Sequence, residues 1–264
     1  MELSQFVPNS DQPFDYTNRV VFITGAAQGL GLAMAWRFAQ AGATLVLCDV
    51  NEPLLKASSE AIEQVSKRRV LHSRVNVAAS AEVDAWVAGA VDMHGRCDVL
   101  VNSAGIIRDG RIENTSDAQW HDVLDVNLSG TFYTTRAVVP HMKKHQYGRI
   151  LSLTSMSWRG NFGQVNYSAS KAGVVGLTRT IALEVARHAV TCNAIAPGLI
   201  DTPMLGSMND AARGRLIAGI PAKRVGRPDE IASAALFLCS SEAGYINGVI
   251  LDVDGGIGIG ASVR

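Results

Sequence analysis

From residue 19 onward, the chain alternates short runs rich in Val, Ile and Leu with longer segments whose apolar residues have helical spacing. Continuous apolar runs of this length are typical of strands that are buried on both faces of a parallel sheet. Two neighbouring parallel strands need a crossover between them, and a helix usually supplies it. The pattern therefore predicts a βαβ repeat whose sheet is covered by helices on both faces.

Seven strands and six helical segments are expected from this pattern. The strands are predicted at Val20–Thr24, Thr44–Asp49, Val70–Val75, Val99–Asn102, Arg149–Thr154, Val190–Ala196 and Val249–Val253. The helices are predicted at about 29–41, 52–66, 80–94, 117–145, 166–187 and 228–239. Because no linker or change in composition separates them, we expect one α/β domain over residues 19–264, with a Rossmann-like, doubly wound, seven-stranded parallel sheet.

Two segments interrupt this rhythm. Residues 1–18 are mostly polar and contain two prolines, so they are interpreted as an N-terminal tail that lies on the fold or is disordered. Residues 198–228 form a long interval rich in glycine and proline. Long loops after the carboxyl end of a strand are commonly functional, and this one is predicted to be a substrate lid.

The balance of charge argues against whole classes of partner. Lys+Arg and Asp+Glu each total 24, so the formal net charge is +0, and no basic footprint for nucleic acid or an anionic membrane is present. No apolar run approaches the ~18 residues that span a bilayer, and residues 1–18 do not read as a secretory signal. Four widely spaced cysteines favour buried free thiols. A cytoplasmic protein without nucleic-acid or membrane partners is expected.

A glycine-rich turn connects the first predicted strand to the first helix. Its sequence is TGAAQGLG, and the candidate ligand-binding residues in it are Gly25, Gln28, Gly29, Leu30 and Gly31. Glycines let the backbone approach a pyrophosphate, and the helix N-terminus offers free N–H groups and a positive dipole end. The spacing is G-x-x-x-G-x-G, so a tight turn without a ligand is the alternative, but the position between strand and helix favours phosphate binding.

Asp49 ends the second predicted strand, 18 residues after Gly31. A carboxylate at this place accepts hydrogen bonds from the adenosine ribose hydroxyls and repels a 2′-phosphate. The nearest basic residue, Lys56, lies seven residues further on. These features favour NAD(H) over NADP(H), with a simple strand-end turn as the alternative for an aspartate here.

Small or polar residues also close the third and fourth predicted strands. They are Asn76-Val77 and Asn102-Ser103-Ala104-Gly105. Because the carboxyl ends of parallel strands meet at one edge of the sheet, which is where ligands bind in such folds, these residues are candidates for the dinucleotide site.

Tyr167 and Lys171 stand four residues apart in the segment YSASK, which opens a stretch of helical spacing. Positions i and i+4 share one face of a helix. A tyrosine has a reference pKa of ~10, and a nearby ammonium lowers it towards the range of a useful base. The spacing indicates a catalytic pair, with Ser155 placed to polarise a carbonyl. A half-buried Tyr beside a surface Lys is the alternative when the pair is taken alone.

In order along the chain, the motifs TGAAQGLG, NSAG, VLDVNLSG, SLTS, YSASK, NAIAPGLIDT and LDVDGG resemble those of the short-chain dehydrogenase/reductase (SDR) family over residues 19–256. The resemblance implies a catalytic tetrad of Asn127, Ser155, Tyr167 and Lys171. Ser155 would hold the substrate oxygen, while Tyr167 would take the alcohol proton as hydride leaves the carbinol carbon. Lys171 would bind the nicotinamide ribose and lower the Tyr167 pKa, and Asn127 would hold a water linked to Lys171.

The same resemblance implies the rest of the NAD(H) site and the assembly. Asn102, Ala104 and Gly105 would line the adenosine side, and Asn76 stands where the family usually has Asp. The loop that cradles the nicotinamide would contain Pro197, Gly198, Ile200 and Thr202. The helix at 166–187 would form a subunit interface of a homotetramer.

The substrate pocket is expected between Ile106–Asp109, Met156–Phe162 and Leu199–Ile220. Its apolar candidates are Ile107, Met156, Trp158, Phe162, Leu199, Met204, Leu205 and Met208. These residues predict an apolar pocket, whereas Arg108 and Arg159 would suit an anionic or acyl-thioester substrate. The lid sequence does not select among a cyclic ketone, a polyol, a steroid and a 3-hydroxyacyl thioester.

Three functions are weighed here beside a fourth, a lyase or epimerase with tightly held NAD, which is disfavoured because such relatives usually carry a larger C-terminal substrate domain and only about ten residues follow Asp254. The first is an NAD(H)-dependent alcohol dehydrogenase or ketoreductase, and the second is an NADPH-dependent 3-oxoacyl thioester reductase, against which Asp49 counts. The third is a non-catalytic dinucleotide-sensing protein, which the fold alone does not exclude. The presence of all four tetrad residues argues against a sensor. No metal site is predicted.

Overall fold

The structure, a computed structural model, describes residues 14–202 and 210–259. Its strands are β1 Val20–Thr24, β2 Thr44–Asp49, β3 Val70–Arg74, β4 Val99–Asn102, β5 Gly148–Leu153, β6 Val190–Pro197 and β7 Ile250–Val253. They form one sheet in the order β3-β2-β1-β4-β5-β6-β7, and every pair is parallel. The predicted doubly wound sheet is confirmed, and each strand end lies within one residue of its predicted position.

The helices follow the prediction with two additions. They are α1 Gly29–Gln40, α2 Glu52–Ser66, α3 Ser80–His94, α4 Asp117–Leu124, α5 Gly130–His145, α6 Val165–Val185, α7 Asp210–Gly219 and α8 Pro228–Cys239. The expected helix at 117–145 is continuous but contains a π-helical segment, Asp125–Ser129, between α4 and α5. Helix α7 lies inside the interval expected to be a lid and was not predicted.

The sheet separates two apolar layers. Along β1, Val21 and Ile23 pack with residues of α1, α2 and α8, whereas Val20 and Phe22 pack with α3, α5 and α6. This alternation, in a strand that is buried throughout, explains why its sequence is continuously apolar. The four cysteines are free and buried, as expected, and burial raises the pKa of the Cys48 thiol, which argues against a nucleophilic role.

Polar groups at the amino-terminal edge of the sheet bond one another. The buried Asp98 carboxylate accepts hydrogen bonds from the Val20 N–H at 2.9 Å and from the guanidinium groups of Arg19 and Arg96. The buried Arg149 guanidinium donates to the carbonyl oxygens of Gly148, Ala189 and Ser240. Each buried charge therefore has partners.

The first described residues pack against the domain. Tyr16 is 2% exposed, its hydroxyl donates to the Leu236 carbonyl of α8, and its ring meets Phe38 of α1 edge-on at 4.9 Å. Tyr16 therefore fixes this part of the expected tail on the layer formed by α1 and α8.

Candidate active site

Strands β2 and β3 lie on one side of β1, whereas β4 to β7 lie on its other side. The strand order therefore reverses between β1 and β4, and crevices for ligands form at such points. Here the Thr24 hydroxyl oxygen accepts hydrogen bonds from the backbone N–H groups of Ser103 and Ala104, both at 3.1 Å. The turn after β1 is thereby held against the turn after β4 at the carboxyl edge of the sheet.

The glycine-rich turn leaves space that side chains would fill. Gly25 has a φ of +65°, and a Cβ there would lie 2.7 Å from the Ala104 Cα. A Cβ at Gly31 would collide with the Gly25 carbonyl oxygen, so α1 approaches the turn closely. The α1 N-terminus has no side-chain cap at Gln28 and no acidic residue in its first turn. Its N–H groups and dipole therefore suit a pyrophosphate.

Asp49 is held beside this turn. One carboxylate oxygen accepts a hydrogen bond from the Ala27 N–H at 3.1 Å, and the other from the Asn51 N–H at 3.0 Å. Because each oxygen has a second lone pair, both can also accept from ribose hydroxyls. Lys56, the nearest cation along the chain, pairs with Glu60 at 4.0 Å.

The expected adenine side is built by the turn after β3. The Asn76 side chain accepts from the Ala78 N–H at 3.1 Å, which shapes the turn itself. Val77 is buried, and a Cβ on Gly130 of α5 would lie only 2.9 Å from the Val77 side chain. Both residues border the carboxyl edge, and their contact with a nucleotide stays a prediction.

The residues that close β4 separate into two roles. The Asn102 side chain turns into the protein, where it donates to the hydroxyls of Thr135 and Ser152 and accepts from that of Thr134. Only its backbone is left to meet a cofactor. Gly105 borders the predicted catalytic side chains, because a Cβ there would lie 3.6 Å from the Lys171 Nζ. Its contact with the adenosine side stays a prediction.

Helix α6 places Tyr167 and Lys171 on one face, one turn apart. The Lys171 Nζ lies 5.6 Å from the Tyr167 ring centroid. Lys171 is 5% exposed, and its ammonium donates to the Leu153 carbonyl at the end of β5 at 2.7 Å. Burial lowers the pKa of Lys171 to about 8, since the charged form loses hydration.

Burial and two neighbouring side chains act on the pKa of Tyr167. Burial raises it, a hydrogen bond with Ser155 opposes that change, and the negative charge of Asp109 raises it further. The Lys171 ammonium donates one of its three N–H groups to the Leu153 carbonyl, and the expected lowering of the Tyr167 pKa by Lys171 stays a prediction. The phenol is therefore protonated at neutral pH.

Asn127 lies in the π-helical segment, a feature that often marks functional sites. It is fully buried. Its side chain accepts from the Ile106 N–H at 2.8 Å and donates to the Ile106 carbonyl and to the Ser170 hydroxyl. Asn127 therefore connects the loop after β4 to α6. The water expected beside it stays a prediction.

The segment after β6 runs along the same edge. Beyond Pro197, Gly198 donates to the Val253 carbonyl at 3.1 Å, and a Cβ on it would lie 2.7 Å from the Asp254 Cα. Ile200 is buried and bridges to Gly226, and the Thr202 hydroxyl lies 3.5 Å from the Ile200 carbonyl. These contacts hold the expected nicotinamide loop in place.

The structure describes part of the predicted substrate pocket. Phe162 is 84% exposed and lines an open cavity of about 590 Å³ with Ile112 and Ser168. The Arg159 guanidinium pairs with Asp252 at 2.6 Å, so it does not offer an uncompensated charge to a substrate. Met204, Leu205 and Met208 lie outside the described residues.

Three further polar residues reach the site, of which Asp109 was predicted only as the end of a pocket segment, while Ser170 and Gln164 were not predicted. The Ser170 hydroxyl donates to the Tyr167 carbonyl at 2.7 Å, and Asp109 and Gln164 bond each other across 55 positions of sequence. No local spacing pattern marks such long-range partners. Ser170 lies inside the YSASK motif, and Gln164 stands three residues before Tyr167.

The chain is similar to known proteins over nearly its whole length. A family model described as enoyl-(acyl carrier protein) reductase matches residues 25–258. The chain is 41% identical over 241 residues to (2S)-[(R)-hydroxy(phenyl)methyl]succinyl-CoA dehydrogenase subunit BbsD of Thauera aromatica, covering 90% of this chain and 96% of that protein. It is 40% identical over 240 residues to 3-oxoacyl-[acyl-carrier-protein] reductase FabG of Thermotoga maritima, covering 90% and 97% respectively.

A solved structure agrees with these sequence similarities. The crystal structure of levodione reductase matches with a TM-score of 0.90 and 36% identity, covering 93% of this chain and 100% of that chain.

Proposed function

The chain belongs to the short-chain dehydrogenase/reductase family of oxidoreductases, and we propose that it interconverts a secondary alcohol and its ketone with NAD(H). The observation that carries the proposal is the position of Tyr167, hydrogen-bonded to Ser155, one helical turn from Lys171 and at the same sheet edge as the glycine-rich turn. The proposed catalytic residues are Asn127, Ser155, Tyr167 and Lys171.

The dinucleotide, when bound, supplies the hydride donor or acceptor. In ketone reduction, the protonated Tyr167 gives its phenolic proton to the carbonyl oxygen while Ser155 donates a hydrogen bond to the same oxygen. In alcohol oxidation, the Tyr167 phenolate takes the hydroxyl proton. Lys171, charged at neutral pH, stabilises the phenolate formed in reduction once its ammonium turns towards it. Asn127 holds α6 and the loop after β4 in register.

The reaction is tested with isotope-labelled substrates. Secondary alcohols, polyols and 3-hydroxyacyl thioesters that carry deuterium on the carbinol carbon are incubated with NAD+, and transfer of the label to the nicotinamide is measured. We expect one class to transfer label, with roughly 10²-fold slower turnover in Ser155→Ala and unchanged NADH affinity. Tight NADH binding without turnover of any class would favour the dinucleotide-sensing alternative.

The preference for NAD(H) is proposed from Asp49. A 2′-phosphate would meet its carboxylate, whose oxygens are already held by two backbone N–H groups, and like charges in contact are repelled. We expect NADH to bind more tightly than NADPH. In Asp49→Asn, the ratio of the NADPH to the NADH dissociation constant should fall roughly tenfold. Glu52→Gln, an exposed neighbour, serves as the matched control. Tighter binding of NADPH to the wild type would overturn the assignment.

The printed activities of the relatives favour a second candidate substrate. One relative is named as a dehydrogenase of an acyl-CoA and another as a 3-oxoacyl reductase. We therefore include the NADPH-dependent reduction of a 3-oxoacyl thioester as the alternative. The paired charge of Arg159 weakens the argument from that side chain, while Arg108 remains exposed.

A homotetramer in the cytoplasm completes the proposal. Leu183 of α6 is 84% exposed and Phe132 of α5 is 41% exposed, and a subunit interface on these helices would cover both. Sedimentation of the wild type and of Leu183→Glu tests it, since a charge in an apolar interface should shift the protein to smaller species. None of the helices that the structure describes has the length and hydropathy of a membrane span.

A further inference from the structure

Two loops that flank Tyr167 are joined at one point. The loop after β4 and the loop between β5 and α6 meet where Gly110 pairs with Gln164, and the Gly110 N–H donates to the Gly163 carbonyl at 2.8 Å. The Asn166 side chain adds a hydrogen bond to the Arg108 carbonyl at 3.1 Å. The position of one loop therefore fixes the other.

The Gln164 side chain lies at the centre of this junction. Its amide nitrogen donates to both carboxylate oxygens of Asp109, at 3.1 and 3.2 Å. Its carbonyl oxygen accepts from the Ser157 hydroxyl and from the Asn161 amide, both at 2.9 Å. An ionised carboxylate only accepts hydrogen bonds, so the amide orientation is determined by its partners.

The junction continues to the hydroxyl that is proposed to hold the substrate oxygen. Ser157 is 6% exposed, and its backbone N–H donates to the Ser155 hydroxyl oxygen at 3.1 Å. A hydroxyl that accepts one bond keeps its single O–H for another partner, and the Ser155 hydroxyl also forms a hydrogen bond with Tyr167. Gln164 thus reaches Ser155 through Ser157.

The charged groups that face Tyr167 come from two elements. Lys171 lies on α6, with its ammonium directed at the Leu153 carbonyl, and Asp109 lies on the loop after β4. The Arg108 guanidinium turns back to the Ile107 carbonyl. Among the described residues, Asp109 is the carboxylate that acts on the phenol, and its charge raises the Tyr167 pKa.

On the basis of the proposed reaction, we propose that Asp109 and Gln164 are positioning residues. Gln164 connects the loop between β5 and α6, which contains Ser155, to the loop after β4. The Asp109 carboxylate holds the Gln164 side chain in place and keeps a negative charge beside Tyr167.

The charge is tested with Asp109→Asn, and Glu113→Gln on the same loop is the control. The alcohol oxidation rate should rise at a lower pH in Asp109→Asn than in the wild type, because the phenol loses a repelling charge. Glu113→Gln should keep the wild-type profile. An unchanged profile in Asp109→Asn would overturn the role of the charge.

The junction is tested by exchange of partners. Gln164→Glu sets two carboxylates against each other, so kcat should fall roughly tenfold with little change in NADH affinity. Adding Asp109→Asn restores a donor opposite the new acceptor, and the double variant should regain kcat to within about threefold of Asp109→Asn. A double variant no faster than Gln164→Glu would refute the positioning role.

A spectroscopic arm separates this inference from the proposed reaction. The absorbance of phenolate is titrated in wild type and Asp109→Asn, each corrected with the same background carrying Tyr167→Phe. A lower Tyr167 pKa in Asp109→Asn supports the charge even if no substrate in the panel turns over. Equal pKa values would contradict it whatever the turnover.

Discussion

At the amino-terminal edge of the sheet, the buried Asp98 carboxylate meets two guanidinium groups and one N–H, whereas at the carboxyl edge the buried Lys171 ammonium meets one carbonyl oxygen. Buried charges are stable when they are paired and hydrogen-bonded, and their pKa values shift when they are not. The first edge is thus built for stability. The second edge keeps groups whose pKa values are shifted by burial, namely Lys171 and Tyr167, and shifted pKa values are typical of catalytic sites.

The largest expected effect is a loss of turnover without a loss of stability when Tyr167 at the carboxyl edge is changed. Tyr167→Phe should lower turnover roughly 10³-fold because it removes the proposed acid–base. NADH affinity and the free energy of unfolding should stay near wild-type values, since the ring is kept. Single-turnover kinetics and urea unfolding measure both, and a large loss of stability would mean that the carboxyl edge is also structural.

The opposite response is expected at the amino-terminal edge. Asp98→Ala leaves the Val20 N–H and two guanidinium groups without their carboxylate, which should cost about 3 kcal/mol of unfolding free energy. Turnover per folded molecule should remain within roughly twofold of wild type. Urea unfolding at a fixed protein concentration is the measurement. A selective loss of turnover would show that the two edges are coupled.

The buried Lys171 should make the free energy of unfolding depend on pH. Its pKa is about 8 in the folded chain against a usual value of 10.5, so between these values the unfolded chain binds the extra proton. Stability of the wild type relative to Lys171→Met should therefore be lowest below pH 8 and rise by up to about 3 kcal/mol towards pH 10.5. Taking the difference cancels the titration of the cysteines. A flat difference would place the ammonium in contact with water.

The smallest effect concerns the redundancy of the amino-terminal edge. Arg19→Gln removes one of the two guanidinium partners of Asp98, and Arg96 still holds the carboxylate. The Arg19 side chain is 31% exposed, so solvent screens the lost pair, and we expect a loss of about 1 kcal/mol or less. Urea unfolding beside Asp98→Ala measures it. A loss as large as that of Asp98→Ala would mean that Arg19 alone neutralises the carboxylate.

The sequence predicted the fold well because most strands are buried on both faces. A run such as Val20–Thr24 leaves few other structures possible, and the strand ends follow within one residue. Helix α7 escaped because Asp210–Gly219 contains glycines and has no apolar stripe. The π-helical segment was not predicted because one extra residue in a helical turn does not change the amino-acid composition of the helix.

The site was predictable where local spacing carries the geometry. The four-residue interval of Tyr167 and Lys171 fixes a shared helix face. Two features could not be read in this way. The direction of the Asn102 side chain depends on hydroxyls from α5 and β5, and the Lys171 contact depends on where β5 ends. Such contacts arise only when distant segments meet.

The π-helical segment between α4 and α5 has a consequence for the register of the whole helix. One residue in an α-helix corresponds to a rotation of about 100°, so the extra residue in the wide turn changes the phase of everything after it. Asn127 faces α6 while Val138 and Met142, further along, still face the core. Deleting one residue from Asp125–Ser129 would straighten the helix and leave one of those two faces out of phase. The bulge is the element that lets one helix serve two surfaces.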